Sequence, residues 1–381
     1  MMYATIRNPV SIASSRIGGT KVVKIRFDRF EQKIIIGSNL IGQFINDMKS
    51  REYASIVPII DINIYNIHRE LLQEIFGALG ITNIIKISPI EVIKSIEGIG
   101  GFVDKLYKFG VCRKSCILGI GGGITGDLAG FLASIYMRGI DFVFLPTTLM
   151  SQGDSIIGKV GVGRKNIKNI VGNFYSPRFT YCDIDFIRTQ DERSLSFGMS
   201  EIIKSALIKS PQFVKYLGDT SFSSPSDYVK LPWINLIYRS LQIKAELVER
   251  DQYDMFGTQK GLSYGHTIAN ALEGLCDFHL NHGEAVNLGM RIAGEISSEM
   301  KILPHKDLEI QNKLLDKYKL SEIIPFPIED NKLIDMLKRD KLSLGGQINL
   351  VLLEKIGKFK VYQNIDSNLI TKVMKRFKTT K

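Results

Sequence analysis

The segment CILGIGGGITGDLAGFLASIYMRG (116–139) constrains this chain most, because it joins an apolar β-branched run to a helical stretch through a glycine-rich turn. Gly121, Gly123 and Gly126 satisfy GxGxxG, which lets a backbone approach a pyrophosphate at a helix N-terminus, where free N–H groups and the helix dipole favour an anion. A tight strand-to-helix turn without a ligand fits the same glycines. The runs VVKIRF, KIIIG, SIVPIID, NIIKIS and FVFLP also read as strands, and they alternate with helical stretches as in an α/β domain with a mainly parallel sheet. From about residue 190 long amphipathic stretches such as DERSLSFGMSEIIKSALIK and WINLIYRSLQIKAELVER take over, so that half is expected to be mostly helical. TSFSSPSDY (220–228) reads as a surface loop between helices.

At 381 residues the chain is long enough for two domains, expected at 1–188 and 189–381. It has no apolar run of the ~20 residues a membrane helix needs, and residues 1–21 hold no continuous apolar stretch, so a cytoplasmic protein is expected. Cys112, Cys116, Cys182 and Cys276 form no CxxC pair, which argues against a disulfide frame or a cysteine zinc site. Fifty Lys plus Arg against 39 Asp plus Glu give a net charge of +11. The basic residues are scattered, except in RKNIK (164–168) and KVMKRFKTTK (372–381), and no aromatic residues interleave with them. That pattern argues against nucleic acid and leaves an anionic small molecule as the partner.

Several clusters carry chemistry. His266, His279 and His282 are three of only five histidines, and His266 and His282 each head an apolar helical run. Imidazoles placed so could meet in one divalent-metal pocket, or they could be core or capping groups. Asp61 and Asn63 end the strand SIVPIID, where ribose hydroxyls could bind. Thr147, Thr148 and Asp154 follow the strand FVFLP, at the edge where open α/β sheets bind ligands. Lys159, Arg164, Lys165 and Lys168 then make a basic loop that suits a phosphate, or a solvated surface loop. Glu201 and Lys204 share one face of a half-apolar helix, as a metal ligand beside a substrate lysine or as a surface salt bridge.

Taken in order, GGGITGDLAGF, YMRG, PTTL, the Asp154 loop, Lys168–Asn169, FYSP, the Glu201–Lys204 helix, GHT and HGEAV resemble the dehydroquinate synthase superfamily, the sugar phosphate cyclases, over residues from about 55 to about 360. The resemblance implies an α/β, Rossmann-like NAD-binding N-terminal domain, an all-α metal-binding C-terminal domain, and an active site between them. It matches Glu201, His266 and His282 to the ligands of one divalent metal, zinc or cobalt, with His279 no ligand. It matches Asp61, Asn63, Glu91, Lys94, Gly121, Gly122, Gly123, Asp127, Thr147, Thr148 and Lys168 to positions around NAD. Arg138, Asp154, Lys159, Lys168, Asn169, Lys204, Lys244, Ser263 and Lys341 match positions that hold the substrate or its phosphate. Asp154, Lys159, Lys204, Lys244 and Asn270 fall at catalytic positions. The chemistry implied is a cycle in which NAD+ oxidises a metal-polarised carbinol, phosphate leaves, the hydride returns, and the opened ring closes into a carbocycle. A homodimer is common in the family.

The chain departs from the synthase pattern at Gln259 and Ser263, where an arginine and an asparagine are usual, and at Asn270, where a second histidine is usual. A neutral glutamine is a poor substitute for an arginine that meets a carboxylate, so the expected substrate is a neutral sugar phosphate such as glucose 6-phosphate or sedoheptulose 7-phosphate. Asn270 cannot titrate, so the histidine's proton handling is lost or moved. The loop between Asp154 and Lys168 is one residue short of the pattern, and Leu342 stands where a second lysine is usual. QKGLSYGHTI and FYSPRF resemble 2-deoxy-scyllo-inosose synthases, which points to aminocyclitol or other secondary metabolism. The rival readings are 3-dehydroquinate synthase itself, with Lys244 or Lys260 taking the arginine's task, a polyol dehydrogenase of the glycerol dehydrogenase type, and a non-catalytic relative.

Overall fold

The computed structural model describes residues 16–17, 19–27, 30–154, 157–164, 167–222, 225–276 and 280–378. Strands β1 (Arg16–Ile17), β2 (Thr20–Arg26), β3 (Glu31–Gly37), β4 (Ile56–Asp61), β5 (Ile85–Ile87), β6 (Cys116–Gly121), β7 (Asp141–Pro146) and β10 (Phe179–Asp183) build one sheet. Its order is β1-β2-β3-β10-β7-β6-β4-β5, antiparallel at β1–β2–β3 and parallel beyond. Each expected strand is present. The central strand β6 is buried at every position, as a parallel strand covered on both faces should be.

Helices α1 (Ile41–Lys49), α2 (Ile62–Ile67), α3 (Arg69–Ala78), α4 (Ile99–Lys108), α5 (Gly123–Ile135) and α6 (Leu149–Gly153) connect these strands. Register sets Ile60 beside Ile120 and Gly121 beside Pro146, so Asp61, the glycine turn and Thr147 line up along the sheet's C-terminal edge. Helix α5 follows the turn and lies against a hairpin of β8 (Val160–Arg164) and β9 (Ile167–Asn173). A methyl on Gly130 of α5 would come within 2.6 Å of Val160 Cγ1, so glycine sets that spacing. The basic stretch expected as a loop is therefore an antiparallel hairpin, with Val160 opposite Asn173 and Arg164 opposite Ile167.

The second half holds α7 (Glu192–Lys209), α8 (Pro211–Asp219), α9 (Trp233–Arg250), α10 (His266–Leu275), α11 (His282–Glu299), α12 (His305–Lys317), α13 (Asp330–Lys338) and α14 (Ser367–Met374). It also carries a two-stranded hairpin, β11 (Leu350–Lys355) and β12 (Lys358–Tyr362), that the helical expectation did not include. The stretch read as a surface loop contains a short 3₁₀ turn, Pro225–Lys230. One hydrophobic core joins Val23, Ile25, Ile34 and Ile36 of the sheet's antiparallel edge to Ile203, Leu207, Leu241 and Leu288 of the helices. The four cysteines are free thiols. Among the described residues no helix is long and apolar enough to cross a membrane.

The start of α10 meets the body of α11 through glycine. Gly265 precedes His266 with φ of +79°, and a methyl on Gly289 would fall 2.0 Å from the Gly265 carbonyl oxygen. Relief of that clash must move one helix relative to the other. Gly289→Ala is therefore expected to cost about 1–3 kcal/mol in urea unfolding, although alanine is the better helix former. Gly218→Ala, where a methyl meets nothing within 4 Å, is the control. Equal stability of the two variants would contradict this packing.

Candidate active site

Helix α7 is buried along most of its length and carries Glu201 and Lys204 into the interior, each 1% exposed. Lys204 Nζ donates to Glu201 Oε2 in a short contact. Glu201 Oε1 is buried with no hydrogen-bond partner among the described residues. Two imidazoles face it, with His266 Nε2 at 3.5 Å and His282 Nε2 at 3.6 Å. All three donor atoms lie within 4.8 Å of one another. Two ligands of one tetrahedral zinc-like ion, each about 2.1 Å from it, stand about 3.4 Å apart, so this spacing fits an ion between them.

The other ring nitrogens are occupied. His266 Nδ1 lies 3.3 Å from the Tyr264 carbonyl oxygen, and His282 Nδ1 lies 3.3 Å from Glu273 Oε1. Protons held on Nδ1 leave the Nε2 lone pairs aimed at Glu201, which is the arrangement a metal needs. Burial, with Lys204 adding to it, pushes His266 down to about 3, so it is neutral near pH 7. Burial works the same way on His282, but the Glu201 and Glu273 carboxylates outweigh it and hold the ring at about 9. Burial alone would raise Glu201; Lys204 and the two imidazoles overcome it and keep the carboxyl well below its usual range. The trio is thus an anion awaiting a cation, and without a metal a proton on His282 takes that place.

At the sheet edge, Gly122 caps α5 without a side chain, leaving the first N–H groups of that helix open. A methyl on Gly121 would come within 2.5 Å of Thr125 Oγ1 and 3.1 Å of Asp61 Cβ, whereas one on Gly123 would meet nothing within 4 Å. The turn is therefore bare toward the cleft, the cradle a pyrophosphate requires. Asp61 caps α2, its Oδ1 accepting the Asn63 N–H at 2.8 Å. Thr148 caps α6 in a capping box with Ser151, while the Thr147 hydroxyl is buried without a partner among the described residues. Glu91, Lys94 and Asp127 form a closed cluster. Lys94 Nζ is 2.8 Å from Asp127, 3.3 Å from Glu91 and 2.8 Å from Asn169 Oδ1, so Asn169, expected among the substrate residues, joins the expected cofactor group.

The expected substrate cations are mostly paired. Lys244 meets Asp154 at 2.9 Å, Lys159 meets Asp254 at 3.0 Å and Lys168 meets Glu273 at 2.8 Å. Lys341 is exposed and has no ion-pair partner among the described residues. Arg138 is exposed in a left-handed backbone (φ 67°) and makes no ion pair with the other site residues among those described. Gln259 is buried, and its amide donates to the carbonyls of Asp251 and Gln252. Ser263 lines a narrow gap with Thr267, Ala293 and Leu350, too small to hold a water. The Asn270 amide donates to Asp340 at 3.3 Å. Lys260 packs along Gly257. Ser155, Ile156, Lys165, Asn166 and His279 lie outside the described residues.

Sequence reasoning missed Glu273, Asp254 and Asp340. Glu273 links Lys168 of β9 to His282 of α11. Its one signal is its place on α10, two turns beyond His266 and so on roughly the same helix face.

Models of the 3-dehydroquinate synthase N-terminal and C-terminal regions match residues 84–197 and 198–343. The 3-dehydroquinate synthase of Endomicrobium trichonymphae is 34% identical over 93% of this chain and 98% of its own. The chain belongs to the 3-dehydroquinate synthase family. The 3-dehydroquinate synthase of Clostridium perfringens strain 13 is 37% identical over 73% of this chain and 79% of its own. Among solved structures, 2-deoxy-scyllo-inosose synthase complexed with carbaglucose-6-phosphate, NAD+ and Co2+ shares the fold at TM-score 0.80 and 24% identity, over 93% of this chain and 99% of that one. A 2-epi-5-epi-valiolone synthase from Streptomyces hygroscopicus with NAD+ and Zn2+ bound gives 0.81 and 22%, over 90% and 96%. Glycerol dehydrogenase from Schizosaccharomyces pombe gives 0.61 and 17%, over 97% and 92%. As a member of the 3-dehydroquinate synthase family, the chain is an enzyme of the sugar phosphate cyclase type.

Within this family member, Glu273 should act on metal binding through His282. Glu273→Gln is expected to weaken zinc or cobalt binding about 10–100-fold in chelator competition, the usual cost of losing a carboxylate behind a ligand histidine. Unchanged affinity would show that Glu273 serves only its ion pair with Lys168.

Proposed function

We propose that the protein converts a sugar phosphate into a carbocycle, using NAD and one divalent metal, zinc or cobalt, held by Glu201, His266 and His282. The observation that carries the proposal is Glu201 Oε1, without a hydrogen-bond partner among the described residues and facing two imidazoles beside a group of lysines. The bound metal would polarise a carbinol oxygen and NAD would take up and return hydride. Lys204 keeps Glu201 ionised, Glu273 and Tyr264 fix the two imidazole tautomers, and Lys341, without an ion pair among the described residues, offers its amine to an anionic group of the substrate. The bare turn at Gly121–Gly123 would take the pyrophosphate, with the adenosine ribose near Asp61. The same reading divides the chain at 188/189, between β10 and α7, and takes it as a cytoplasmic homodimer.

For the substrate, overall similarity weighs against the neutral sugar phosphate expected from the sequence. Relatives named 3-dehydroquinate synthase share 34–37% identity, whereas the inosose and valiolone synthases share 22–24%. The 3-dehydroquinate synthase reaction is therefore the leading reading. Gln259 favours the second reading, a neutral sugar phosphate: its amide is committed to the Asp251 loop, and no arginine stands in its place. A carboxylate buried without a charged partner costs several kcal/mol, and about 1.4 kcal/mol is already a tenfold rate loss.

The deciding assay measures phosphate release with NAD+ and metal from the carboxylated substrate of 3-dehydroquinate synthase, glucose 6-phosphate and sedoheptulose 7-phosphate. The leading reading expects release from the carboxylated substrate with no net change in NADH absorbance. Release from a neutral sugar phosphate alone would establish the second reading. Accumulating NADH without phosphate would contradict both and favour a dehydrogenase.

A further inference from the structure

We infer that Asp340 is a positioning residue which, tied to α10 through Thr267 and Asn270, holds Lys341 where its amine meets an anionic group of the substrate. The inference rests on the cyclase reading for what Lys341 binds, and on geometry alone for the tie.

The segment between α13 and β11 is held to itself by a tight turn through Gly345 and Gly346, at φ of 59° and 78°. Ser343 N–H donates to the Asp340 carbonyl at 2.9 Å, Ser343 Oγ to the Leu337 carbonyl at 2.7 Å, and Asn349 Nδ2 to the Leu342 carbonyl at 2.8 Å. Its side-chain link to α10 is the Asp340 carboxylate. Oδ1 accepts from Thr267 Oγ1 at 3.1 Å and from the Leu342 N–H at 3.0 Å, and Oδ2 accepts from Asn270 Nδ2 at 3.3 Å. Thr267 and Asn270 stand at i and i+3, so they present adjacent donors on the helix that begins at His266. Close packing supports the link, since a methyl on Gly274 of α10 would fall 2.3 Å from Met336 Cε of α13.

Lys341 is the next residue, within electrostatic reach of Asp340, Lys159, Asp254 and Lys204, and its charge acts on His266. A lysine stem has much rotamer freedom, so fixing its root decides how much is lost when an anion binds. The asparagine at 270 also has a purpose here. An amide donates to a carboxylate at any pH, so the tie does not titrate as a histidine's would.

The test uses the 381-residue protein with NAD+ and metal in the phosphate-release assay, with whichever of the carboxylated 3-dehydroquinate synthase substrate, glucose 6-phosphate and sedoheptulose 7-phosphate it turns over. Asp340→Ala is expected to raise KM about tenfold, more than it lowers kcat, with metal content unchanged; Asp340→Asn, which keeps one acceptor oxygen, raises KM less. In a Lys341→Met background, Asp340→Ala should add less than about twofold, because residues acting through one contact are not additive. An equal rise in both backgrounds would overturn the inference. Hydrogen exchange tests the tie without substrate: the amides of 340–348 should exchange about tenfold faster in Asp340→Ala and in Asn270→Ala, with those of α11 unchanged. Unchanged exchange at 340–348 would overturn the inference even if no sugar phosphate is turned over, an outcome that by itself would defeat only the cyclase reading.

Discussion

The structure turns on the carboxylate of Glu201. A charge taken fully out of water costs several kcal/mol unless its partners are near-ideal, and a buried ion pair is often no more stable than an apolar replacement. Among the described residues Glu201 has one such partner, Lys204, on one oxygen and no hydrogen-bond partner on the other. Stability alone does not explain an acceptor left open between two imidazoles. A divalent cation does, because it supplies the charge that the carboxylate, the Tyr264 carbonyl and Glu273 are arranged to complement.

Other features serve that arrangement. The Gly265–Gly289 contact brings the start of α10 close against α11, and His266 and His282 stand at a ring separation of 5.4 Å. Glu273 reaches from α10 to His282 and to Lys168 on the β8–β9 hairpin, and that hairpin lies over α5, the helix that begins at the glycine turn. A chain of contacts therefore runs from the sheet edge, where a nucleotide would sit, to the donor trio. The lysines around the trio are balanced by Asp154, Asp254 and Glu273, leaving Lys341 as a cation without an ion pair among the described residues.

Much of this was legible in the sequence, for local reasons. The β-branched runs became strands because parallel strands buried on both faces need continuous apolar residues, and the glycine turn declared itself by spacing. The donor trio was implied by the family resemblance, since the residues alone left His266 and His282 as metal ligands or core groups and Glu201 as a ligand or half of a salt bridge. The β8–β9 hairpin was not, because in VGVGRKNIKNIVGN three glycines and a cluster of basic and asparagine residues break up the β-branched residues, and its strands are paired by backbone approach at Gly161, Gly163 and Gly172. The acidic partners were hidden for another reason. Glu273, Asp254 and Asp340 acquire meaning only from residues at least 70 positions away that the fold delivers to them, or, for His282, from the next helix. Gln259 marked a departure from the family pattern, but only the structure shows its amide spent on the Asp251 loop.

The central claim is that Glu201, His266 and His282 bind one metal ion. Crystals of the protein grown with cobalt or zinc, with anomalous data collected at the metal's absorption edge, test it most directly. The account predicts one strong peak with Glu201 Oε1, His266 Nε2 and His282 Nε2 each about 2.0–2.2 Å from it. A peak at other residues, or none there at saturating metal with the three side chains unmoved, would contradict it.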